Sequence, residues 1–457
     1  MLLILGIEMD PSLVTKYDLR LPRYTSYPAS PHFSESVTPA TYGTWLGCLD
    51  PAVPLSLYLH IVYCAEMCWF CGCHTKITKR YEPVAEYVDT LLREIDLVAD
   101  HLPGLFSTQH IHFGGGTPTI VSSDDFVRIL HTLRDRFSLK PEAEIAVEID
   151  PRTVNEEYLA HLAHAGVNRV SLGVQDFNAT VQQAVNRVHP FEQVASVFKW
   201  LRRHDIHRIN MDLMYGLPHQ TQDSLLATVD DAVSLRPCRI VLFGYAHVPW
   251  MRKHQTLIPE TSLPNIEERW NLYESAGRRL IEHGYVRIGL DHFARADDEM
   301  AVALTKRRLH RNFQGYTTDD ASVLLGMGAS GIGHLPQGYV ANVRSVSGWK
   351  RSVLNNILPT ERGFCVSEED RLRRQVINAL MCNLEVDLQK EASSLGYTVD
   401  HFRHELNAVE DLIRDGLVTR NGTVLRMTEQ GRPLVRAVAA CFDQYLKTNE
   451  QRHSKAV

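Results

Sequence analysis

The chain of 457 residues has no run approaching the roughly 20 apolar residues that a membrane-spanning helix needs. Its opening, Met1-Leu-Leu-Ile-Leu-Gly-Ile7, is apolar but has no basic leader and meets Glu8 and Asp10 at once, so no signal peptide is expected. Positive charge is not in excess. With 48 Lys and Arg against 54 Asp and Glu, a net charge of −6 gives no chain-wide reason to expect nucleic acid or an anionic membrane, although a local basic site is compatible with it. No internal repeat or low-complexity segment occurs. Gly326-Met-Gly328-Ala-Ser-Gly331 formally satisfies a dinucleotide fingerprint, yet it lacks both the following helix and an acidic residue about twenty positions on, which excludes nicotinamide or flavin binding there. Nine cysteines at irregular positions do not form a secreted disulfide framework. The expectation is a soluble protein of a reducing cytoplasm.

What is present begins with Cys64-Ala-Glu-Met-Cys68-Trp-Phe-Cys71-Gly-Cys73, directly after the apolar Leu55-Ser-Leu-Tyr-Leu-His-Ile61. Thiolates separated by three and then two residues can converge on one soft metal centre, whereas neighbours this close are poorly placed for disulfides with each other. A tetrahedral zinc site would want a second Cys or Cys/His pair, and none follows within the next hundred residues. A [4Fe-4S] cluster on three cysteines, with one iron open for a small molecule, fits better; zinc stays the alternative.

From about residue 55 short β-branched runs alternate with amphipathic segments. Strands are predicted over 55–61, 110–114, 144–150, 167–173, 209–215, 240–245 and 286–291, with helix starts at Ser122 and Asn155 between them. Such alternation predicts an α/β fold with a parallel sheet, a partly closed barrel or a doubly wound sheet, and functional groups at the strands' carboxyl ends. After about residue 355 helices are expected without intervening strands, over 367–383, 388–395 and 402–415. They end in a hairpin at Asn421-Gly422 that suggests a winged helix but shows no basic face for DNA.

Gly114-Gly-Gly-Thr-Pro118 closes the second strand, and three glycines let the backbone approach a ligand and expose its amides. Glu148 and Asp150 close the third strand, Gln175 and Asp176 follow the fourth, and Asp212 lies in the fifth. Polar groups in otherwise apolar strands are costly to bury unless they meet a ligand or each other, with helix caps as the plainer role. The histidine pairs His161/His164 and His204/His207 read as surface residues.

The cysteine spacing and the glycine run, in this order at strand ends, resemble the radical S-adenosylmethionine superfamily. Further segments narrow the resemblance: Pro22-Arg-Tyr-Thr-Ser-Tyr-Pro28, His112-Phe-Gly-Gly-Gly-Thr-Pro-Thr119, Glu148-Ile-Asp-Pro-Arg152, Gly173-Val-Gln-Asp-Phe177, Asp212-Leu-Met-Tyr-Gly-Leu-Pro218, Asp291-His-Phe-Ala-Arg295 and His310-Arg-Asn-Phe-Gln-Gly-Tyr-Thr-Thr318. Together they resemble the oxygen-independent coproporphyrinogen III oxidase (dehydrogenase) family of haem biosynthesis. The resemblance implies an incomplete (β/α) barrel of radical SAM type, with an N-terminal arm over 1–54, the barrel over 55–354 and a mainly helical C-terminal domain over 355–457.

The resemblance further implies that Cys64, Cys68 and Cys71 hold the cluster. Tyr58, Gly115, Glu148 and Ile332 match residues around one S-adenosylmethionine. Phe70, Gly116, Thr117, Gln175, Arg187, Asp212 and Ala246 match residues around a second. Tyr58 and Cys73 are the expected catalytic residues, and Arg23, Tyr24 and Tyr27 of the arm are expected at the substrate. The implied reaction converts two propionates of coproporphyrinogen III to vinyl groups without oxygen, in one cytoplasmic chain, served by a low-potential electron donor and an electron acceptor. Four substrate carboxylates call for a basic pocket, with Arg23, Arg295 and Arg311 as candidates. A haem-binding chaperone of the same superfamily is the rival reading, against which Cys73 and the arm stand. The chain departs from the family pattern at Val62-Tyr63, where Pro-Phe is usual, at Gly244, where asparagine is usual, and in its apolar leader before Met9. The first removes a rigid point beside the cluster and the second a side-chain amide beside the second cofactor.

Overall fold

A computed structural model describes residues 11–446, so the apolar opening segment, residues 1–7, lies outside the described residues. Twelve strands make one open sheet. In chain order they are β1 (Leu55–Ile61), β2 (Ser107–Gly115), β3 (Ser138–Ile149), β4 (Arg169–Gln175), β5 (Arg208–Tyr215), β6 (Arg239–Gly244), β7 (Tyr285–Ile288), β8 (His292–Arg295), β9 (Val323–Met327), β10 (Ile332–Leu335), β11 (Gly338–Asn342) and β12 (Thr360–Cys365). Their spatial order is β12-β11-β10-β9-β1-β2-β3-β4-β5-β6-β8-β7. From β9 through β6 the neighbours are parallel, and antiparallel strands extend both edges.

Successive side chains on a strand face opposite ways, and this sequence uses the period consistently. Ile111 and Phe113, Val147 and Ile149, Val170 and Leu172, Met211 and Leu213, and Ile240 and Leu242 are buried in the main apolar core. The alternate positions, His110, His112, Glu144, Glu148, Arg169, Ser171, Asn210, Asp212 and Arg239, line a cavity on the other face. Helices Glu82–Asp100, Ser123–Arg136, Glu156–His164, Phe191–Arg203 and Gln222–Ser234 cover the apolar face. Ser122 and Asn155 cap two of them by accepting from the amides of Asp125 and Tyr158, as the sequence predicts. Among the described residues no helix is long and apolar enough to cross a membrane.

The structure corrects two expectations. The predicted strand 286–291 stops at Ile288, because Gly289 at φ +56° turns the chain and Asp291 falls in the turn before β8. The segment after residue 355 is not free of strands: β12 pairs antiparallel with β11 and is an edge of the large sheet. Beyond it, helix Glu368–Asn383 starts at a capping box of Ser367 and Asp370. Helices Leu388–Ser394 and Arg403–Arg414 follow. The Asn421-Gly422 turn joins strands Val418–Asn421 and Val424–Met427 of a three-stranded wing.

The arm packs against the C-terminal segment. Lys16 pairs with Asp415 at 2.6 Å, the Tyr24 hydroxyl donates to Asp443 at 3.2 Å, and the amide of Gln444 donates to the Tyr27 hydroxyl at 3.2 Å. Tyr24 and Tyr27 are 2% and 1% exposed, so both belong to the core rather than to a substrate surface.

On the helix-covered face of the sheet, fully buried Glu94, in helix Glu82–Asp100, joins three elements. It accepts from the amide of Gly328 (2.7 Å), the side-chain amide of Asn342 (2.6 Å) and the indole of Trp349 (2.9 Å). Gly326-Met-Gly328-Ala-Ser-Gly331 is thus a tight connection between β9 and β10 fastened to Glu94, and no phosphate site. Glu94→Ala strands three donors and is expected to cost about 3 kcal/mol in chemical unfolding of the cluster-free protein. Burial pushes the Glu94 carboxyl up to about 7 from its ordinary 4.5, against the three donors. The folded value lies above the unfolded one, so native stability should fall as pH rises from 4.5 through 7, and Glu94→Gln should remove that slope in the same assay.

Candidate active site

The strand ends and the cysteine loop enclose a cavity of about 370 Å³. Its floor is charged. Arg169 donates to Glu144 at 2.7 Å and also contacts Glu299, while Arg239 donates to Asp298 at 2.9 Å. Both guanidiniums are buried, and paired charge is what makes such a floor tolerable.

Cys64, Cys68, Cys71 and Cys73 all line the upper wall. Among the described residues no group of three or more His, Cys, Asp or Glu is set to hold a single metal ion. The three thiols share a wider space, which suits a multi-iron group whose thiolates sit on different irons. The donor set fits such a group. The Thr117 hydroxyl donates to Cys64 Sγ at 3.3 Å, Arg187 and Arg152 donate to Cys68 Sγ at 3.3 and 3.4 Å, and the Cys73 amide donates to Cys71 Sγ at 3.4 Å. A hydrogen bond with Cys73 brings the Cys71 thiol down to about 7 against its burial, whereas burial pushes Cys64 up to about 12. A Cβ on Gly116 would lie 2.6 Å from the carbonyl oxygen of Tyr63 and 3.0 Å from Cys64 Sγ, so only glycine lets the two loops meet.

The amides of the glycine run are not presented to a ligand, contrary to expectation. Gly115 donates to Glu148 at 3.2 Å, Gly116 to the Ile61 carbonyl at 2.7 Å and Thr117 to the Tyr63 carbonyl at 2.8 Å. They hold the loop and orient Glu148 instead. His112 is within 3.1 Å of the other Glu148 oxygen. Burial works to raise the Glu148 carboxyl, but these two partners outweigh it and keep it below its ordinary range. The result is an ionised carboxylate beside the thiols, apt for a ligand's ammonium group.

Tyr58 reaches this group from behind. Its ring stacks on His112 with centroids 5.9 Å apart, and its hydroxyl is 2.9 Å from His60 Nδ1. His60 Nε2 faces the carbonyl of His74 at 3.2 Å, so that nitrogen carries the proton and Nδ1 accepts from Tyr58. Burial lowers the His60 pKa and keeps the ring neutral. Tyr58 is not among the residues lining the cavity, whereas Cys73 lines it and is exposed.

On the far wall, Arg187 donates to the Gly173 carbonyl (3.0 Å) and to Asp150 (3.0 Å) as well as to Cys68. Gln175 sits at a register shift with φ +75°, and its buried Oε1 has no partner among the described residues. Burial, reinforced by Glu148, pushes the Asp212 carboxyl up to about 7, with Ser171 as its donor. Asp176 takes the plainer role, accepting from Thr228, Gln220 and the amide of Asn178.

Phe70 lines this cavity and Ala246 a neighbouring one; buried Gln255 donates to both carbonyls, at 2.9 and 3.2 Å. Ile332 packs against the Phe33–Tyr339 cluster and does not line the cavity. Arg295 pairs with Asp297 at 2.8 Å and lines neither cavity, while Arg23 and Arg311 line the second. Val62 is buried, and its carbonyl accepts from the Lys76 amide at 2.7 Å. Sequence reasoning named Glu148, Asp150 and Arg187 but not His60, His112 or the contact of Arg152 with Cys68. The alternation of His110 and His112 with apolar neighbours was the signal for the histidines.

Residues 58–232 match the model of the radical SAM superfamily, and residues 366–434 match that of the HemN C-terminal domain, which begins just beyond β12. An oxygen-independent coproporphyrinogen III oxidase of Bradyrhizobium diazoefficiens is 48% identical over 450 residues, covering 98% of this chain and 100% of that protein. The anaerobic coproporphyrinogen III oxidase 1 of Cereibacter sphaeroides is 43% identical, covering 96% of this chain and 97% of its own length. The solved coproporphyrinogen III oxidase (HemN) of Escherichia coli, a radical SAM enzyme, superposes with a TM-score of 0.90 at 35% identity, over 96% of this chain and 99% of that one. Similarity of this extent, over arm, barrel and C-terminal domain alike, places the chain in the oxygen-independent coproporphyrinogen III oxidase family of the radical SAM superfamily.

Proposed function

We propose that the protein carries out the oxygen-independent oxidative decarboxylation of coproporphyrinogen III to protoporphyrinogen IX. Two propionate side chains each lose CO2 and become vinyl groups, with an electron acceptor taking what the substrate gives up. The observation that carries the reading is the set of three thiols sharing one enclosed cavity with the Glu148–His112 pair, in a chain alike over its full length to proteins named for this reaction.

Cys64, Cys68 and Cys71 are the proposed ligands of a [4Fe-4S] cluster. Cluster and S-adenosylmethionine, when bound, supply the radical chemistry that takes hydrogen from the propionate carbon. The chain's own residues bind, orient and shield. Glu148 accepts the ammonium group of S-adenosylmethionine. Arg187 and Arg152 hold Cys68 and offset the negative charge gathered on the thiolates. Gln175, Arg187, Asp212 and Phe70, which line the cavity, would hold a second S-adenosylmethionine, and Ala246 would meet it from the adjoining one. Asp212 can carry a proton near neutrality. Enclosure keeps water from reactive intermediates. A monomer is the proposed working unit, and the cysteine pattern supports a reducing cytoplasm.

Anaerobic reconstitution followed by incubation with coproporphyrinogen III, S-adenosylmethionine and a strong reductant should yield divinyl product by chromatography. Cleavage of S-adenosylmethionine with no vinyl product, together with tight haem binding, would overturn the reading. Cys64→Ala should lose the iron and the visible absorption of the reconstituted protein; full retention of both would remove that residue from the ligand set. Glu148→Gln should retain the iron but weaken S-adenosylmethionine binding roughly tenfold, the worth of one charge-assisted contact, as measured by equilibrium dialysis.

A further inference from the structure

A second cavity, of about 480 Å³, lies where the arm, the barrel rim and the C-terminal domain meet. It is unlike the first in charge. Arg20 and Arg23 come from the arm, Arg269 from helix Ile266–Glu282, Arg311 from strand His310–Asn312 and Arg436 from helix Val435–Ala440. Of the three acids on its wall, Asp291 is engaged with His292 at 2.7 Å and Glu260 is largely exposed, facing His247; Asp18 is the third.

Asp291 faces Arg23 and Arg311 and offsets part of their charge, but among the described residues Arg23, Arg269 and Arg311 are held by carbonyls and rings rather than by a carboxylate salt bridge. Arg23 donates to the Gly244 carbonyl at 3.4 Å and Arg311 to the Arg23 carbonyl at 3.0 Å. Arg311 lies over Tyr316 at 4.4 Å, Arg269 over Tyr215 at 5.1 Å and Arg23 over Phe243 at 5.9 Å. A stacked guanidinium keeps N–H edges for a further acceptor. The buried Nε of Arg269 and Nη1 of Arg311 have no hydrogen-bond partner among the described residues. Burial, with Arg23 and Arg311 adding to it and Tyr215 and Asp291 opposing, pulls Arg436 down to about 10.

Gly244 explains how Arg269 enters. A Cβ at that position would stand 2.7 Å from Arg269 Nη2 and 2.8 Å from the Tyr215 hydroxyl. The missing side chain at Gly244 is what leaves room for this guanidinium.

We propose that this cavity binds the propionate carboxylates of the tetrapyrrole, with Arg269, Arg311 and Arg23 as their ligands and Gly244 as the opening that admits Arg269. The proposal rests on the coproporphyrinogen reading above. Carboxylate is the chemistry recognised, and S-adenosylmethionine, which Ala246 on this wall is proposed to meet, also carries one. The substrate is favoured because several separate guanidiniums face the cavity and it brings four carboxylates, against one from a cofactor. Phe243 lines both cavities, so a large ligand here borders the thiol cavity directly.

The test uses the reconstituted full-length protein with Arg269→Gln, Arg269→Lys and Arg311→Gln. Arg269→Gln should raise KM for coproporphyrinogen III roughly tenfold with a smaller change in kcat, Arg269→Lys should raise it less, and S-adenosylmethionine binding by equilibrium dialysis should not change. Should one variant fail to fold, the other two decide. Unchanged KM in the folded variants overturns the proposal. Weakened S-adenosylmethionine binding assigns the site to the cofactor and overturns the propionate assignment. If the unsubstituted protein converts no coproporphyrinogen, the reading of function fails separately. Anaerobic titration with coproporphyrin III then decides the cavity: weaker binding by Arg269→Gln supports it and equal binding refutes it.

Discussion

The alternation of side chains along parallel strands is the constraint on which the rest depends. One face of every strand from β1 to β6 is committed to the helices, so the other must be able to live in an enclosed space. Apolar filling would have given a packed barrel with no room for chemistry. This chain instead fills the lower half with paired charge, Arg169 and Arg239 against Glu144, Asp298 and Glu299, and leaves the upper half open. The site is the part of the interior that the sequence does not neutralise internally.

Above the floor the same economy of partners continues. His112 and the Gly115 amide hold Glu148 below its ordinary range against its burial, whereas burial and the charge of Glu148 push Asp212, with a single hydroxyl donor, up to about 7. Two carboxyls on strands separated only by β4 are thus pushed in opposite directions, Asp212 up by burial and by the charge of Glu148, and Glu148 down by His112 and the Gly115 amide against its burial. Cys68 is likewise distinguished from Cys64: two guanidiniums face the first, and only a hydroxyl faces the second. An asymmetric setting around three chemically identical ligands gives each sulfur a different electron demand, a lever on the potential of whatever group they hold.

Much of this was legible in the sequence, and the gaps have physical causes. Strand β1 matches its predicted span, and Asn421-Gly422 turns where expected, because local periodicity and turn chemistry determine both. Strands β9 to β12 went unread because they are short and glycine-punctuated, and their pairing is settled by neighbours far away in the chain. At the site, the thiols and Glu148 announced themselves by spacing and by polarity out of place. The glycine run was found for the right reason, close approach, but its amides serve the protein rather than a ligand. Tyr24 and Tyr27 read as substrate contacts because they lie in a distinctive motif; only tertiary packing reveals them as core. The contact between Arg152 and Cys68 spans 84 positions, beyond any local pattern.

The seating of the arm has a consequence for how the molecule comes into being. Tyr24 and Tyr27 bond to Asp443 and Gln444, 419 and 417 positions later in the chain. Arg20 and Arg23 share a cavity with Arg436. During synthesis the barrel strands β1 to β6 and the four cysteines are complete before residue 250, while the arm's partners Asp443 and Gln444 are made about two hundred residues later. The thiol loop is thus available for metal loading before the arm and the C-terminal segment come together. A chain that ends a few dozen residues early would keep every cluster ligand and still lack one wall of the neighbouring cavity.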